Sequence, residues 1–134
     1  MPMSGTVSLA SARIMEFVDI TAALQQEVRG TGVADGLCLV YNPHTTAGLT
    51  INEGADPAVQ ADIITALQLI VPMRHAFTHQ EGNSPAHIMA ALMGSSVSVL
   101  VTDGRLRLGT WQKIFFCEFD GPRSRQILWQ LLAG

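Results

Sequence analysis

Four histidines are the residues whose type and spacing most directly suggest chemistry. His44 follows an apolar run, His75 and His79 stand four residues apart in a polar segment, and His87 comes eight residues after His79. Imidazoles bind metal ions and move protons near neutral pH, and three of them suffice for an open zinc site. Because no HExxH or paired CxxC motif is present, the spacing alone favours imidazoles that are solvated or satisfied locally over a shared metal site.

A second group of polar residues occupies the segment PHTTAGLTINEGADP, which contains the first histidine. Glu53 stands at no helix-capping position, so we predict that it accepts a proton or orients a histidine. Asn52 and Asp56 have a local alternative, because such side chains often bond to the backbone of a turn or a helix start. Thr45 is an expected contact to a ligand.

The segment EGNSPAH predicts a third group of functional residues at the start of a helix. Gly82 and Asn83 allow an unusual backbone there. Free N–H groups at a helix start favour an anion such as phosphate, which would lie beside His87. The alternative is an ordinary capped helix without a ligand.

The segment LGTWQ and the apolar run FFCEFD carry the last candidates. Gly109 permits close approach of the backbone, Thr110 and Gln112 can hydrogen-bond a ligand, and Trp111 can stack on a planar ring. Glu118 lies within the apolar run, where a carboxylate requires a histidine or arginine partner. We predict that this glutamate takes part in catalysis.

The elements that must position these residues alternate between strands and helices. Two short strands joined by a tight turn are predicted in TVSLAS and ARIMEFVDI, followed by a helix in DITAALQQEVRGTG. The strand GLCLVY is apolar on both faces, so we expect both faces to be covered. Later strands are predicted in SSVSVLVTDG, KIFFCEFDG and SRQILWQLL, with turns at TDG and DGP.

Two further helices follow the candidate residues directly. Asp56 is the expected N-cap of a helix that begins at Pro57, and Ser84 is the expected N-cap of a helix that begins at Pro85. The order of elements predicts one α+β domain over residues 1–134, with a mainly antiparallel, sandwich-like sheet and about three helices.

Composition limits the class of protein. Hydrophobic residues make up 48% of the chain and charged residues 14%, which excludes a disordered chain. The low charge suggests apolar surface buried between subunits, with a monomer as the alternative because monomers also expose apolar surface. Lys113 is the only lysine and the net charge is −3, so nucleic acid is not an expected partner. With neither a membrane span nor a secretory signal in the sequence, we expect a cytoplasmic protein whose Cys38 and Cys117 are buried thiols.

Three long segments in this order resemble the YjbQ-like family, known as secondary thiamine-phosphate synthase enzymes. They are HTTAGLTINEGADP, FTHQEGNSPAHI and ALMGSSVSVLVTDGRLRLGTWQKIFFCEFDGPRSRQ, and the resemblance spans Gly5 to Gln130. The resemblance implies an α+β fold, a homotrimer, and a reaction that joins hydroxymethylpyrimidine diphosphate to thiazole phosphate. That reaction is regarded as secondary in the family.

The resemblance also implies which residues form the site. His75 lies outside the family pattern, and Met89 stands where many relatives have a lysine that would bind phosphate. The pattern falls on His44, Thr45, Asn52, Glu53, Asp56, His79, Gly82, Asn83, His87, Gly109, Thr110, Trp111, Gln112 and Glu118. Zinc bound by the three histidines on pattern positions, His44, His79 and His87, is therefore the expected cofactor.

Three functions are compatible with these residues. The first is a transferase that makes thiamine phosphate from two phosphorylated precursors at a site between subunits. The absence of an Asp-rich Mg²⁺-diphosphate motif counts against efficient chemistry of that kind. The second is a metal-dependent hydrolase of a small phosphorylated or carbonyl compound. The third is a non-catalytic trimer that binds a small anionic metabolite.

Overall fold

The computed structural model describes residues 3–134, so the first two residues of the domain predicted over 1–134 lie outside the described part. The predicted alternation of strands and helices is confirmed over this range. The strands are β1 (Ser4–Ala10), β2 (Glu16–Asp19), β3 (Gly36–Tyr41), β4 (Ala47–Glu53), β5 (Ser96–Thr102), β6 (Arg105–Leu106), β7 (Gln112–Glu118) and β8 (Ser124–Ala133). The helices are α1 (Thr21–Thr31), α2 (Pro57–Ile70) and α3 (Ser84–Met93).

The strands form two antiparallel sheets. The larger sheet has the order β1-β8-β3-β5-β6, and the smaller sheet has the order β2-β7-β4. Together with three helices they give the predicted α+β class with sandwich-like sheets. Every helix within residues 3–134 is too short or too polar to cross a membrane.

Strand β7 forms the centre of the molecule because its side chains alternate between two cores. Ile114 and Phe116 face the core enclosed by the two sheets and α1. Phe115 and Cys117 face a second core, to which α2 and α3 contribute. This period of two leaves the small sheet covered on both faces. Strand β4 pairs with β7 from Ala47, opposite Glu118, to Glu53, opposite Gln112.

The helix ends follow the sequence signals closely. Asp56 is the N-cap of α2, where its Oδ1 accepts the Ala58 N–H at 3.0 Å, and Pro57 occupies the first helical position. The expected cap at Ser84 is wrong by one residue, because α3 begins at Ser84 and Asn83 is its N-cap without a side-chain capping bond. The Asn83 amide instead bonds to carboxylates outside the helix.

Two expectations about strand pairing are wrong. β1 and β2 do not pair with each other across a tight turn, since β1 pairs with β8 and β2 pairs with β7. β7 and β8 likewise lie in different sheets, although they are neighbours in sequence. The apolar pattern predicts each strand, but partners far apart in sequence are chosen by the packing of the cores. The predicted turn at TDG is confirmed, with Asp103 and Gly104 at positive φ between β5 and the short β6.

The expectation that both faces of β3 are covered is also wrong for the single chain. Cys38 and Val40 are fully buried between the sheets, whereas Leu37, Leu39 and Tyr41 are 37%, 41% and 47% exposed. No helix within residues 3–134 packs on this outer face, because all three lie on the inner side of the larger sheet or on the small sheet.

Candidate functional site

A cleft of about 420 Å³ gathers three of the four histidines. His44 lies in the segment between β3 and β4, His79 precedes α3, and His87 lies in the first turns of that helix. Their convergence confirms that these distant segments meet, while His75 does not line this cleft. The lining residues are Pro43, His44, Thr45, Thr46, His79, Glu81, Asn83, His87, Arg123 and Arg125.

His44 is held against the backbone of β8 by one of its ring nitrogens. Its Nε2 atom lies 3.0 Å from both the amide nitrogen and the carbonyl oxygen of Gln126. A neutral Nε2 accepts the Gln126 N–H, whereas a protonated Nε2 donates to the carbonyl. The pairing of β3 with β8 ends where Tyr41 lies opposite Leu128. Beyond this pair, the His44 ring takes the place of β3 beside the β8 backbone. Among residues 3–134, Nδ1 has no hydrogen-bond partner and is the ring nitrogen left for a ligand.

The pKa of His44 is lowered from its ordinary value near 6.5. Burial of the ring is the larger cause, and the positive charge of Arg125 adds to it. The bond to the Gln126 backbone and the charge of Glu118 oppose this effect without reversing it. A lowered pKa favours the neutral imidazole at pH 7. The neutral form is the one that binds a metal ion or accepts a proton.

His79 and His87 form a close pair. Their ring centroids are 5.3 Å apart and the ring planes are almost perpendicular, at 89°. An edge-to-face contact explains this arrangement without a ligand. Two imidazoles on one tetrahedral zinc would also place their centroids roughly 5 Å apart, given a Zn–N bond of about 2.0 Å. The separation of the two rings is therefore compatible with one shared metal ion and equally with a direct ring contact.

The third histidine does not complete a set of ligands in this arrangement. Within residues 3–134, no three His, Cys, Asp or Glu side chains are placed so that they could hold one metal ion. His44 lines the same cleft as the pair, but its Nε2 is engaged with Gln126. The donor chemistry of the cleft suits zinc, whereas the three-histidine geometry stays a prediction.

Behind the histidines lies a buried ion pair between Arg125 and Glu118. The Arg125 Nε donates to Glu118 Oε1 at 2.8 Å, and one terminal nitrogen donates to the other carboxylate oxygen. The same terminal nitrogen donates to the Thr46 hydroxyl at 2.8 Å. Side-chain exposure is 5% for the arginine and 0% for the glutamate. The pair ties β7 and β8 to the segment that carries His44.

Glu118 has the arginine partner that its apolar context predicts. Burial alone would raise its pKa, but hydrogen bonds from Arg125, the Ser11 hydroxyl and the Asp120 N–H lower the pKa below the ordinary 4.5. The carboxylate is therefore ionised and saturated with donors. Because it has no solvent exposure, Glu118 acts on the cleft only through Arg125, and its catalytic role stays a prediction.

The start of α3 brings Asn83 into the cleft. Its Nδ2 donates to Glu81 Oε2 at 2.5 Å and to Asp120 Oδ2 at 3.0 Å. Its Oδ1 is buried and has no hydrogen-bond partner within the described residues. Gly82, at a φ of 82°, makes the turn that presents Asn83. The unusual backbone expected here is found at Gly82 but not at Asn83, whose φ is −110°, and binding of a ligand by either residue stays a prediction.

The side chains that line the cleft within residues 3–134 have no surplus of positive charge. Arg123 pairs with Asp120 at 2.8 Å, and Arg125 pairs with Glu118. Glu81 adds a further carboxylate to the lining. Met89, where a lysine was expected from the resemblance, is fully buried in the second core and does not line the cleft. An anion would therefore need additional positive charge in order to bind here.

The remaining predicted residues lie at the opposite end of β4 and β7. Ala47 pairs with Glu118 at the histidine end, and Glu53 pairs with Gln112 at the other end. Six residue steps along a strand separate the two ends by about 20 Å. One chain therefore does not join the LGTWQ segment, Asn52 and Glu53 to the histidine cleft. Sequence spacing could not reveal this separation.

Most polar groups at that second end serve the local backbone. Glu53 Oε2 accepts the Asp56 N–H at 3.0 Å, and Asn52 Oδ1 accepts the Glu53 N–H at 2.7 Å. Gln112 Oε1 accepts the Gly109 N–H at 2.8 Å and closes the turn before β7. These bonds give the three side chains a structural role that does not require a ligand.

Thr110 and Trp111 differ from their neighbours because they extend into solvent. The Trp111 side chain is 63% exposed, which is unusual for so large an aromatic residue. No side-chain hydrogen bond engages Thr110 within residues 3–134. An indole in this position is available to stack on a ring or to contact another protein.

Sequence reasoning missed Arg125, the residue that links the cleft to the core. A signal for it does exist in SRQILWQLL. Arg125 shares its alternating face with Ile127, Trp129 and Leu131, all of which are buried. An arginine on the inward face of a strand predicts a buried carboxylate partner. Glu118, within the apolar run FFCEFD, is such a carboxylate.

Residues 5–134 match one family model, described as UPF0047 protein YjbQ-like. A UPF0047 protein of Methanocaldococcus jannaschii is 50% identical over 118 residues, which cover 88% of this chain and 86% of the relative. YugU of Bacillus subtilis, also a UPF0047 protein, is 45% identical over 124 residues, which cover 92% of this chain and 94% of the relative. Both ends of the β4–β7 pair lie within the matched range.

Solved structures with the same fold cover nearly the whole chain. A crystal structure from Clostridium acetobutylicum, described as an uncharacterized conserved protein of the yjbq/upf0047 family, has a TM-score of 0.92 and 47% identity. The match covers 95% of this chain and 98% of the Clostridium chain. A YbjQ-like protein of unknown function from Sulfolobus solfataricus has a TM-score of 0.93 and 33% identity, with 98% and 96% covered.

Proposed function

For a chain that belongs to the UPF0047 YjbQ-like family and gathers three histidines in one cleft, we propose an enzyme that hydrolyses a small phosphorylated compound with a divalent metal, zinc. The observation that carries this proposal is the convergence of His44, His79 and His87 from three separate elements beside two arginines. Bound zinc would supply a Lewis acid that polarises the phosphate and activates water.

The histidines have different parts in this proposal. His79 and His87, whose centroids are 5.3 Å apart, hold the metal as a pair. In the tautomer whose Nε2–H donates to the Gln126 carbonyl, His44 has a free lone pair on Nδ1, which serves either as the third ligand or as the acceptor of a proton. Its neutral state at pH 7 suits both parts.

The charges of the cleft explain why a metal is part of the proposal. Both arginines are paired with carboxylates, and Glu81 adds a negative charge. A phosphate would meet no net positive charge from these side chains. A divalent cation would change the balance and make anion binding favourable, so we expect phosphate to bind only when the metal is present.

Other residues of the cleft orient the substrate. Thr45 is exposed and offers a hydroxyl, while Thr46 is buried and holds Arg125. Asn83 Oδ1 is buried at the start of α3 and has no partner within residues 3–134, so a turn of this side chain towards the cleft is required for it to accept a hydrogen bond from a substrate hydroxyl. These groups fix the position of one small molecule.

Hydrolysis is favoured over transfer by the size of the cleft. A volume of about 420 Å³ lies towards the small end of ligand sites. It suits one small phosphorylated compound and water better than two ring-containing precursors. The Trp111 side chain, which would stack on a pyrimidine ring, lies at the other end of β4 and β7.

Thiamine-phosphate synthesis is the second candidate, and the exposed Trp111 indole favours it. A second copy of the chain would have to bring that indole to the histidine cleft, because about 20 Å of strand separates them within one chain. The homotrimer that the resemblance implies would provide such copies. This candidate therefore requires an assembly, whereas hydrolysis does not.

Substrate screening on zinc-loaded protein tests the proposal. We expect phosphate release from a single small phosphorylated compound, lost in His87→Ala and kept in the matched control His75→Ala. Product formation only when both thiamine precursors are present would favour the transferase. Ligand binding without turnover under any metal would instead identify a non-catalytic binding protein and would refute both enzymatic proposals.

A further inference from the structure

The Arg125 guanidinium is held in one orientation by several hydrogen bonds. Its Nε and Nη2 atoms donate to the two oxygens of the Glu118 carboxylate, and Nη2 also donates to the Thr46 hydroxyl at 2.8 Å. Both partners are buried. Glu118 belongs to β7 and Thr46 to the segment before β4. The guanidinium plane therefore cannot turn without breaking bonds to two separate parts of the chain.

The other terminal nitrogen, Nη1, is left without a partner. No hydrogen bond within residues 3–134 involves it. The unpaired polar side-chain atoms that are shut off from solvent in this part of the chain are Asn83 Oδ1 and Trp129 Nε1, so Nη1 is not one of them. It therefore belongs to the 5% of the Arg125 side chain that stays exposed. Two N–H donors of a buried arginine are open to a ligand.

The exposed part of Arg125 lies beside His44, where two cavities meet. Both residues line the histidine cleft. Both also line a second groove, whose walls include Ser8, Ser124 and Gln126. A group bound to Nη1 would therefore lie close to the His44 ring, in the cleft that also contains His79 and His87.

A fixed guanidinium nitrogen suits an oxygen of a phosphoryl group. Because Glu118 offsets most of the positive charge, Arg125 attracts an anion only weakly from a distance. Its advantage lies in position, since its donors are already aimed and partly removed from water. Binding then costs little of the side-chain entropy that a mobile arginine would lose.

Arg123, the other arginine of the cleft, does not have this advantage. Its Nε donates to the Asp120 carbonyl oxygen and one terminal nitrogen donates to the Asp120 carboxylate. The side chain is 49% exposed and is held by a single residue three positions away. A solvated guanidinium gives up hydration and motion when it binds a ligand. Arg125 is therefore the stronger candidate to bind an oxygen in the cleft.

We propose that Arg125 binds the phosphoryl group of the substrate through Nη1. The proposal rests on the phosphate-releasing function proposed above and adds to it the residue that holds the phosphate. Phosphoryl oxygens accept the two Nη1 hydrogens, while Glu118 and Thr46 keep the guanidinium in the orientation that this requires. Glu118 is then a positioning residue, which acts on the substrate only through Arg125.

Inorganic phosphate is the probe, titrated by calorimetry into protein with and without Zn²⁺. Arg125→Lys keeps a positive charge opposite Glu118 but removes Nη1 and its fixed donors. We expect phosphate binding to weaken at least about tenfold, as for the loss of a hydrogen bond to a charged group. Zn²⁺ affinity, which depends on His79 and His87, should stay the same. Arg123→Lys is the matched control and should bind phosphate like the wild type.

A second measurement uses the wild-type protein and so does not depend on the folding of Arg125→Lys. In protein labelled with ¹⁵N-arginine, the bonds to Glu118 and Thr46 should block rotation of the guanidinium, so that NMR resolves separate Nη1 and Nη2 signals. Added phosphate should shift the Nη1 signal with the midpoint found by calorimetry. The Nη2 signal should shift less, because both of its hydrogens are already bonded.

Equal phosphate binding by wild type and Arg125→Lys overturns the proposal, and so does an Nη1 signal that stays unmoved at saturating phosphate. Equal weakening by Arg123→Lys also overturns it, because the fixed guanidinium would then have no advantage. Absence of phosphate binding with and without Zn²⁺ refutes both this proposal and the hydrolase. Binding that depends on Arg125 in protein that takes up no Zn²⁺ supports the role of Arg125 and refutes only the metal. Phosphate release from a substrate by protein whose Nη1 does not respond leaves the hydrolase intact and refutes this proposal.

Discussion

The two ends of the β4–β7 pair have similar residue types but use them differently. At one end, Glu118 is buried against Arg125, and three histidines surround an open cleft. At the other end, Glu53 and Gln112 close hydrogen bonds to their own backbone, and Trp111 extends into solvent. A dense group of polar residues marks a site only where its side chains are not already committed to local structure.

The largest difference between the ends is expected in stability. Arg125→Met leaves Glu118 buried without its partner, so we expect the free energy of unfolding to fall by about 3–5 kcal/mol. Urea denaturation measures this. Arg123→Met is the matched control, because Arg123 pairs with Asp120 at an exposed position and should cost less than about 1 kcal/mol. Equal losses in the two variants would show that burial of the pair is unimportant.

A smaller effect is expected at the capped helix of the second end. Asp56→Ala removes the acceptor for the Ala58 N–H at the start of α2, so we expect a loss of about 1 kcal/mol. Metal affinity should not change, since this cap is remote from the cleft. A variant that keeps its stability but loses metal would link the two ends and refute the separation.

Acid should act on the histidine end first. The pKa of His44 and of Glu118 is lowered in the folded protein, so each group stabilises the fold above its unfolded pKa. Stability should therefore fall as pH drops below the ordinary value of 6.5 for histidine, and again below 4.5 for the carboxyl. His44→Gln should remove the first decrease from a urea-unfolding series across pH. A stability that rises on acidification through pH 6 would contradict the lowered pKa.

The smallest effect is expected from Trp111→Ala. The side chain is exposed, so its loss should change the free energy of unfolding by less than about 0.5 kcal/mol. An unchanged rate of phosphate release would support hydrolysis within one cleft. If the rate instead falls without any change in stability, a second copy brings the indole to the histidines, as the transferase requires.

The sequence predicts elements better than it predicts their partners. Asp56 with Pro57, and the turn at Asp103 and Gly104, are local signals that a few hydrogen bonds decide, and both are confirmed. The pairing of β1 with β8 joins strands more than 100 residues apart. Such a pairing depends on how the whole core packs, which a local pattern does not contain.

The site shows the same limit. Residue types identified the histidines and Glu118 as candidates, and the structure brings His44, His79 and His87 to one cleft. Their spacing could not show that the LGTWQ segment lies at the other end of the strands. The spacing also could not show that the Gln112 side-chain oxygen accepts a hydrogen bond from the Gly109 N–H. These facts depend on the register of β7 against β4.

Titration with Co²⁺ as a spectroscopic substitute for zinc tests the central claim, that His79 and His87 hold one metal ion in the histidine cleft. We predict one Co²⁺ per chain with the intense visible absorption of tetrahedral coordination, displaced by Zn²⁺. His79→Ala and His87→Ala should each weaken binding at least about a hundredfold, while His75→Ala, on the same segment but outside the cleft, should bind like the wild type. Absence of Co²⁺ and Zn²⁺ binding, or equal binding in all variants, would contradict the account.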